Sequence, residues 1–282
     1  MARSEPRPLW VNLEYLSAES WVDDCHLKCS PHPTLPLLKY FYIPGFSAAT
    51  GGLLRETDLL AERDRHLTGA GARQSFMHGL GLGSQPRNTL LVSLFGYEQP
   101  ALPELLETWA EGEEHVVTLV PEGRILADVA RFFGAPTLHA GTVLERGRLI
   151  AQVLPFSTQD DYDRLLWSCD LNFVRGEDSF VRAQWAARPF VWHIYGQDED
   201  AHMRKLEAFM VRLCRGLDTG TASALRAFWS AWNGHGSAAS AWPAFRAALP
   251  MLGKHCVAWC ESLAHRQDLA SNLVRFAEDR LK

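Results

Sequence analysis

From residue 90 onward, short apolar runs alternate with stretches of helical periodicity, and this alternation constrains the fold more than any other feature of the chain. The runs are LLVSLF (90–95), HVVTLV (115–120), LIAQVL (149–154), LNFV (171–174) and FVWHIY (190–195). Helical spacing falls between them, over residues 102–109, 124–133, 159–169 and 179–187. Strands separated by helices of this length indicate right-handed βαβ units and a parallel, doubly wound sheet. Sheets of that kind bind ligands beyond the carboxyl ends of their strands.

The flanks read differently. LWVNLEYL (9–16) and LLKYFYIPGF (37–46) look like strands, with Pro31, Pro33 and Pro36 marking an irregular connection between them. DLLAERDRHL (58–67) reads as a short charged helix. The glycines at 79, 81 and 83 mimic half of a dinucleotide fingerprint, but they follow a helix-like stretch and lead through Pro86 into a strand. They read instead as a helix end and a linker. Residues 200–217, 219–232 and 253–280 carry helical spacing, the last with Cys256, Cys260, Leu263, Leu269, Leu273 and Phe276 on one face. The expected organisation is an amino-terminal domain over residues 1–88, a second domain over 89–250, and a helix over 251–282 that crosses back to the first.

Composition narrows the function. With 282 residues, 47% of them hydrophobic, the chain can bury a sizeable core. A formal net charge of -5 argues against a broad basic surface for nucleic acid and against a polybasic membrane anchor. No apolar run reaches the roughly 18 residues of a spanning helix, and MARSEPRPLW has no apolar export region. A cytoplasmic chain with six reduced cysteines is expected. The pairs Cys25/Cys29 and Cys256/Cys260 have zinc-compatible spacing, but Cys256 and Cys260 lie a helical turn apart in an amphipathic stretch, where cysteine acts as a small apolar residue. No metal is expected.

The segment NFVRGEDSFVRAQWA (172–186) carries the most chemistry. It runs from a strand through Arg175, Gly176, Glu177 and Asp178 to Ser179 and a helix. Backbone N–H groups at a helix start attract anions, and an arginine forks onto phosphate oxygens. Glu177 and Asp178 would repel phosphate, but fit a helix cap and an acceptor for sugar hydroxyls. Phe95 and Tyr97, Phe156, and Tyr195 and Gln197 follow three other strands, so their rings converge on one rim and suit stacking on a nucleobase. A single such ring more often caps the sheet core. His193 reads as a packing residue. Asp160, Asp161 and Asp163 read as ordinary helix-start charges, and PGFSAATGGLLRE (44–56) as either a cleft lining or a surface loop.

Taken together, NLEYLSAE (12–19), LPLLKYFYIPGF (35–46), TGGLLRE (50–56), VSLFGYE (92–98), LPF (154–156), NFVRGEDSFVRAQWA and RPFVWHIYGQ (188–197) resemble the arginine rhamnosyltransferases of translation elongation factor P. The resemblance covers essentially the whole chain. It implies a GT-B-type α/β architecture of two Rossmann-like domains with parallel sheets, the second holding TDP-rhamnose. It further implies that Phe95, Tyr97, Phe156 and Tyr195 surround the donor's base and sugar, with Gln197 beside them. Arg175, Glu177, Asp178 and Ser179 would then contact ribose and diphosphate, and L-rhamnose would pass to an arginine of elongation factor P with inversion. The family begins with a glycine-containing turn and a pair of aspartates, one of them the general base, for which nothing before LWVNLEYL offers a counterpart. The amino-terminal domain is therefore expected to be incomplete and the chain inactive alone, with Glu177 or Asp178 as the remaining catalytic carboxylates. Two rival readings are a GT-B transferase of another nucleotide sugar and a non-catalytic module that binds elongation factor P. A nicotinamide oxidoreductase is disfavoured for want of the strand–GxGxxG–helix context.

Overall fold

The structure is a computed structural model that describes residues 8–83, 86, 88–196 and 201–281. In chain order its strands are β1 (Trp10–Leu13), β2 (Cys29–Pro31), β3 (Leu38–Tyr42), β4 (Leu90–Leu94), β5 (Val116–Pro121), β6 (Val143–Arg146), β7 (Leu149–Leu154), β8 (Leu171–Arg175) and β9 (Phe190–His193). The helices before β8 are α1 (Trp21–Cys25), α2 (Leu59–Thr68), α3 (Ala72–Gly79), α4 (Leu102–Glu111), α5 (Leu126–Phe133) and α6 (Gln159–Ser168). Those after it are α7 (Asp178–Ala186), α8 (Ala201–Leu213), α9 (Thr219–Trp232), α10 (Ala238–Ala264) and α11 (Leu269–Leu281). None of these helices is long and apolar enough to cross a membrane.

Contacts divide the chain into two compact units. One takes residues up to Thr57 with 197–215 and 261–282, and the other takes Asp58–Gly196 and Gly216–Cys260. The division falls at Thr57, ahead of the glycines at 79–83 where the sequence alone places a boundary. The reason is packing: α2 lies on α3, α6 and α7, and α3 lies on α6. Linker-like composition after α3 thus marks a connection inside the second unit.

The second unit is built on a six-stranded sheet of order β6-β7-β5-β4-β8-β9. Its five central strands are parallel, and β6 runs antiparallel along the edge of β7. All five strands read from the apolar runs are present. The short, exposed strand β6, with only Leu144 part-buried, carries no apolar run long enough to announce it. Ordered by appearance, the parallel strands run 3-2-1-4-5, so the winding reverses between β4 and β8. Alternate residues of β4, β5 and β7, namely Leu91, Val117, Leu119 and Leu154, meet Met77, Leu82, Leu165 and Cys169 from α3, its following turn and α6. Each fully buried side chain of this size contributes about 1.5–3 kcal/mol.

Asp163 is not an ordinary helix-start charge. It is 2% exposed and accepts a two-pronged contact from the buried Arg182, whose Nε lies 2.7 Å from Oδ1 and whose second prong reaches Oδ2. The pair joins α6 to α7.

In the first unit, β3 lies between a parallel β1 and an antiparallel β2. The glycine-bearing segment 44–56 packs against the carboxyl-terminal segment. The Leu269 N–H donates to the Leu53 carbonyl at 2.9 Å, and Asn272 Nδ2 donates to the Gly51 carbonyl at 3.1 Å. A Cβ on Gly51 would stand 2.4 Å from the Tyr42 ring, so only glycine permits this approach. Residues 253–280 form two helices rather than one. Asp268 caps the second by accepting the Ser271 N–H at 2.9 Å, and Arg55 receives the end of α10 by donating to the Ala264 carbonyl at 3.0 Å. Among the residues expected on one face, Cys256, Cys260 and Leu263 are buried, whereas α11 buries none of its side chains.

Replacing one member of the α6–α7 ion pair leaves the other charged and buried. Arg182→Met is expected to lower the unfolding free energy in urea by about 3–5 kcal/mol, and Arg182→Met/Asp163→Leu to recover most of that loss.

Candidate functional site

The carboxyl ends of β4 and β8 border the point where the winding reverses, and the two segments leaving them meet. Phe95 and Tyr97 follow β4. From β8 the chain passes through Arg175 and Gly176 into α7. Gly176 adopts a φ of 62°, and a Cβ there would lie 3.0 Å from the Tyr97 hydroxyl, so glycine answers both the backbone and the space. Trp192 Nε1 donates to the Gly176 carbonyl at 2.6 Å.

Ser179 does not cap the helix. Glu177 holds the N-cap position and makes no side-chain cap bond. The Ser179 hydroxyl instead accepts the Arg175 N–H at 3.0 Å and donates to the Arg175 carbonyl at 2.5 Å, closing the turn on itself. The start of a helix, where backbone N–H groups lack carbonyl partners of the preceding turn, is an arrangement that attracts anions, and α7 presents its start here.

This turn forms one wall of a cavity of about 500 Å³. The structure brings Phe95, Tyr97, Phe156, Arg175, Glu177, Asp178 and Ser179 together around it. Tyr195 stands beside the cavity with its ring edge-on to Tyr97 at 5.6 Å. Gln197 lies outside the described residues. Phe156 projects at the mouth with its ring 86% exposed, while its N–H donates to Glu122 Oε2 at 3.3 Å.

Arg175 is held by rings. Its guanidinium carbon lies 4.5 Å from the Phe95 centroid and 4.8 Å from that of Tyr97. Its Nε is buried with no hydrogen-bond partner. An anion entering the cavity would meet a cation whose position is fixed but whose hydrogen-bonding capacity is not used up.

Sequence reasoning missed Glu122, Thr158, Gln159 and Tyr162, which also line the cavity. Glu122 directly follows β5, and Thr158 begins α6 by accepting the Asp161 N–H at 3.2 Å. Position beyond a strand end and the T-x-x-D cap were the available signals. Tyr162 offered none, because its ring fills the space behind Phe95, 5.7 Å away, and that follows only from packing. Burial pushes its hydroxyl pKa up, so it stays protonated.

His193 ends β9 directly across from Arg175. Its Nδ1 accepts the Tyr97 N–H at 3.3 Å. Burial, reinforced by the Arg175 charge and opposed by Glu98, pushes its pKa down to about 4. No group of three or more His, Cys, Asp or Glu among the described residues is placed to hold a metal ion.

A doubly wound sheet with a ligand-sized cavity at its switch point, walled by a helix start and a fixed arginine, defines a Rossmann-like α/β protein with its site where that class binds ligands. Comparison with known proteins gives the family. The family model described as Elongation-Factor P (EF-P) rhamnosyltransferase EarP matches residues 1–278. Proteins named protein-arginine rhamnosyltransferase from Pseudomonas putida and Pseudomonas aeruginosa are each 50% identical over 280 residues, spanning 99% of this chain and 74% of theirs. A solved structure described as the structural basis for EarP-mediated arginine glycosylation of translation elongation factor EF-P matches with a TM-score of 0.78 and 46% identity, over 84% of this chain and 75% of that one. The chain belongs to the EF-P rhamnosyltransferase EarP family, with the GT-B-like α/β fold of that structure.

Because the His193 pKa in the folded chain lies below its ordinary 6.5, unfolding takes up a proton at acid pH. Above pH 6.5 the residue costs no stability, and the cost grows as pH falls toward about 4. Proton NMR of the folded chain is expected to show the His193 ring titrating near pH 4, and an ordinary midpoint near 6.5 would contradict this burial.

Proposed function

We propose that this chain is a cytoplasmic, inverting glycosyltransferase that moves L-rhamnose from TDP-rhamnose to an arginine side chain of translation elongation factor P. The observation that carries the donor half is Arg175, clamped between two rings at the start of α7 with its Nε unbonded, in a cavity whose mouth holds the exposed Phe156. A nucleoside diphosphate needs a π surface for its base and fixed positive charge for its phosphates. Phe156 supplies the first, with Phe95 behind it. Arg175 and the N–H groups at the start of α7 supply the second, in the place a divalent cation would otherwise fill. Glu177 and Asp178 accept hydrogen bonds from ribose hydroxyls, and Ser179 keeps the turn closed. Tyr97 and Tyr195 border the sugar. The acceptor half rests on the family, whose relatives are named for arginine rhamnosylation.

In the reaction the bond from the anomeric carbon to the β-phosphate oxygen breaks, and a bond to the arginine nitrogen forms on the opposite face. TDP leaves with the bonding pair. Charge building on the departing diphosphate is what Arg175 and α7 stabilise. Free arginine stays protonated, with a pKa above about 12, so a carboxylate must orient the guanidinium and take its proton. Glu177 and Asp178 are the carboxylates at the diphosphate wall to test for that role by substitution with Gln and Asn.

Calorimetric titration is expected to show TDP binding more tightly than UDP or GDP. Phe156→Ala should weaken it by about 1–3 kcal/mol and Arg175→Ala by about 1.5–3 kcal/mol. Incubation with elongation factor P and TDP-rhamnose, followed by mass spectrometry, is expected to show little or no added rhamnosyl group, and a rapid, stoichiometric gain on an arginine would refute the inactivity expected of this chain alone. A folded chain that binds none of the nucleotides would sink the donor assignment. TDP binding without transfer would leave the donor site standing and agree with a chain that is inactive alone.

A further inference from the structure

Resting on the donor-site reading above, we propose that His193 is a positioning residue whose Nδ1 lone pair holds Tyr97 against the Arg175 guanidinium. The two residues share a rung of the sheet, Arg175 on β8 paired with His193 on β9. From that rung Arg175 reaches the Tyr97 ring and His193 reaches the Tyr97 backbone. The His193 and Tyr97 rings also meet edge-on at 5.2 Å.

The segment after β4 has other anchors on either side of Tyr97: the Phe95 N–H donates to the Phe173 carbonyl at 3.1 Å, and Glu98 pairs with Arg124 at 3.4 Å. Gln99 donates its N–H to Asp128 Oδ2 at 2.6 Å and its side-chain amide to the Trp232 carbonyl, and its Oε1 accepts the Ala101 N–H at 3.0 Å. Among the described residues, the hydrogen bond that fixes Tyr97 itself comes from His193.

His193 is in turn held from both sides. Asn233 donates to the Trp192 carbonyl at 2.8 Å and accepts the Ile194 N–H at 3.1 Å, so the backbone on either side of His193 is tied to the end of α9. The Trp232 ring meets the imidazole edge-on at 5.8 Å. A site held within a fraction of an ångström requires supports that are themselves fixed.

Histidine suits the task for a chemical reason. Accepting an amide N–H at Nδ1 requires that nitrogen to be unprotonated, so the neutral ring carries its proton on Nε2. An imidazolium would turn N–H against N–H and add a second positive charge beside Arg175. Burial and Arg175 itself keep the ring neutral. The cation that binds the diphosphate thus adds to burial in keeping neutral the ring that holds Tyr97 beside it.

Substitution separates this role from packing. In His193→Asn a carbonyl oxygen can stand near the place of Nδ1. In His193→Gln the polar end reaches the place of Nε2, and His193→Phe has no acceptor. TDP titration would be carried out on all three, with near-ultraviolet circular dichroism confirming the fold. His193→Asn is expected to keep the TDP Kd within about threefold of wild type, whereas the Gln and Phe variants raise it about tenfold, the loss of one net hydrogen bond. In an Arg175→Ala background the difference between Asn and Gln should vanish. Asn and Gln variants that bind equally, or an Asn–Gln difference that persists without Arg175, would overturn the inference. A wild-type chain that binds no TDP would overturn the donor-site reading and this inference with it.

Discussion

Asp163 and Arg182 are both buried, and their two-pronged contact is the constraint on which the site's shape depends. Removing two charges from water costs several kcal/mol per ion, recovered only when the geometry is good. A planar guanidinium meeting a carboxylate fixes both direction and distance. The helices so joined are the ones whose starts face the cavity: α6 opens with Thr158 and Gln159, and α7 opens just after Arg175 and Gly176. The pair therefore sets the register of two walls from behind, at no expense to the charges inside.

Inside, the principle is reversed. Arg175 is held by π faces rather than by a carboxylate. A carboxylate partner would have neutralised it and competed with an incoming phosphate. Phe95 and Tyr97 restrict its rotamers while leaving its N–H groups to bond. The neutral His193 across the sheet follows the same economy, since it orders Tyr97 without adding charge. Fixed position with unspent bonding capacity is the condition for a pre-organised anion site.

The first unit shows another use of close packing. Glycines at 51 and 52, which as a sequence suggest a mobile loop, lie against Tyr42 and the Gln267 carbonyl. Their lack of side chains serves contact, because the carboxyl-terminal segment returns to bond with Gly51 and Leu53.

The sequence by itself determined the parallel sheet, because short, nearly continuous apolar runs broken by helical stretches admit few other arrangements. It also exposed the turn at Arg175–Ser179 and the rim aromatics, because residues just past strand ends must converge in a doubly wound fold. Tertiary structure decided what local pattern cannot encode. The edge strand β6 is short and exposed and, among the described residues, pairs with β7 alone. Asp163 looked like any acid in a first helical turn until Arg182, nineteen residues later, proved to be its partner. The Ser179 hydroxyl is spent on the turn rather than on a cap, and His193 is tuned by a neighbour on the adjacent strand. Each of these depends on which side chains meet across distant stretches of chain, and burial and electrostatics act through those meetings rather than through sequence neighbours.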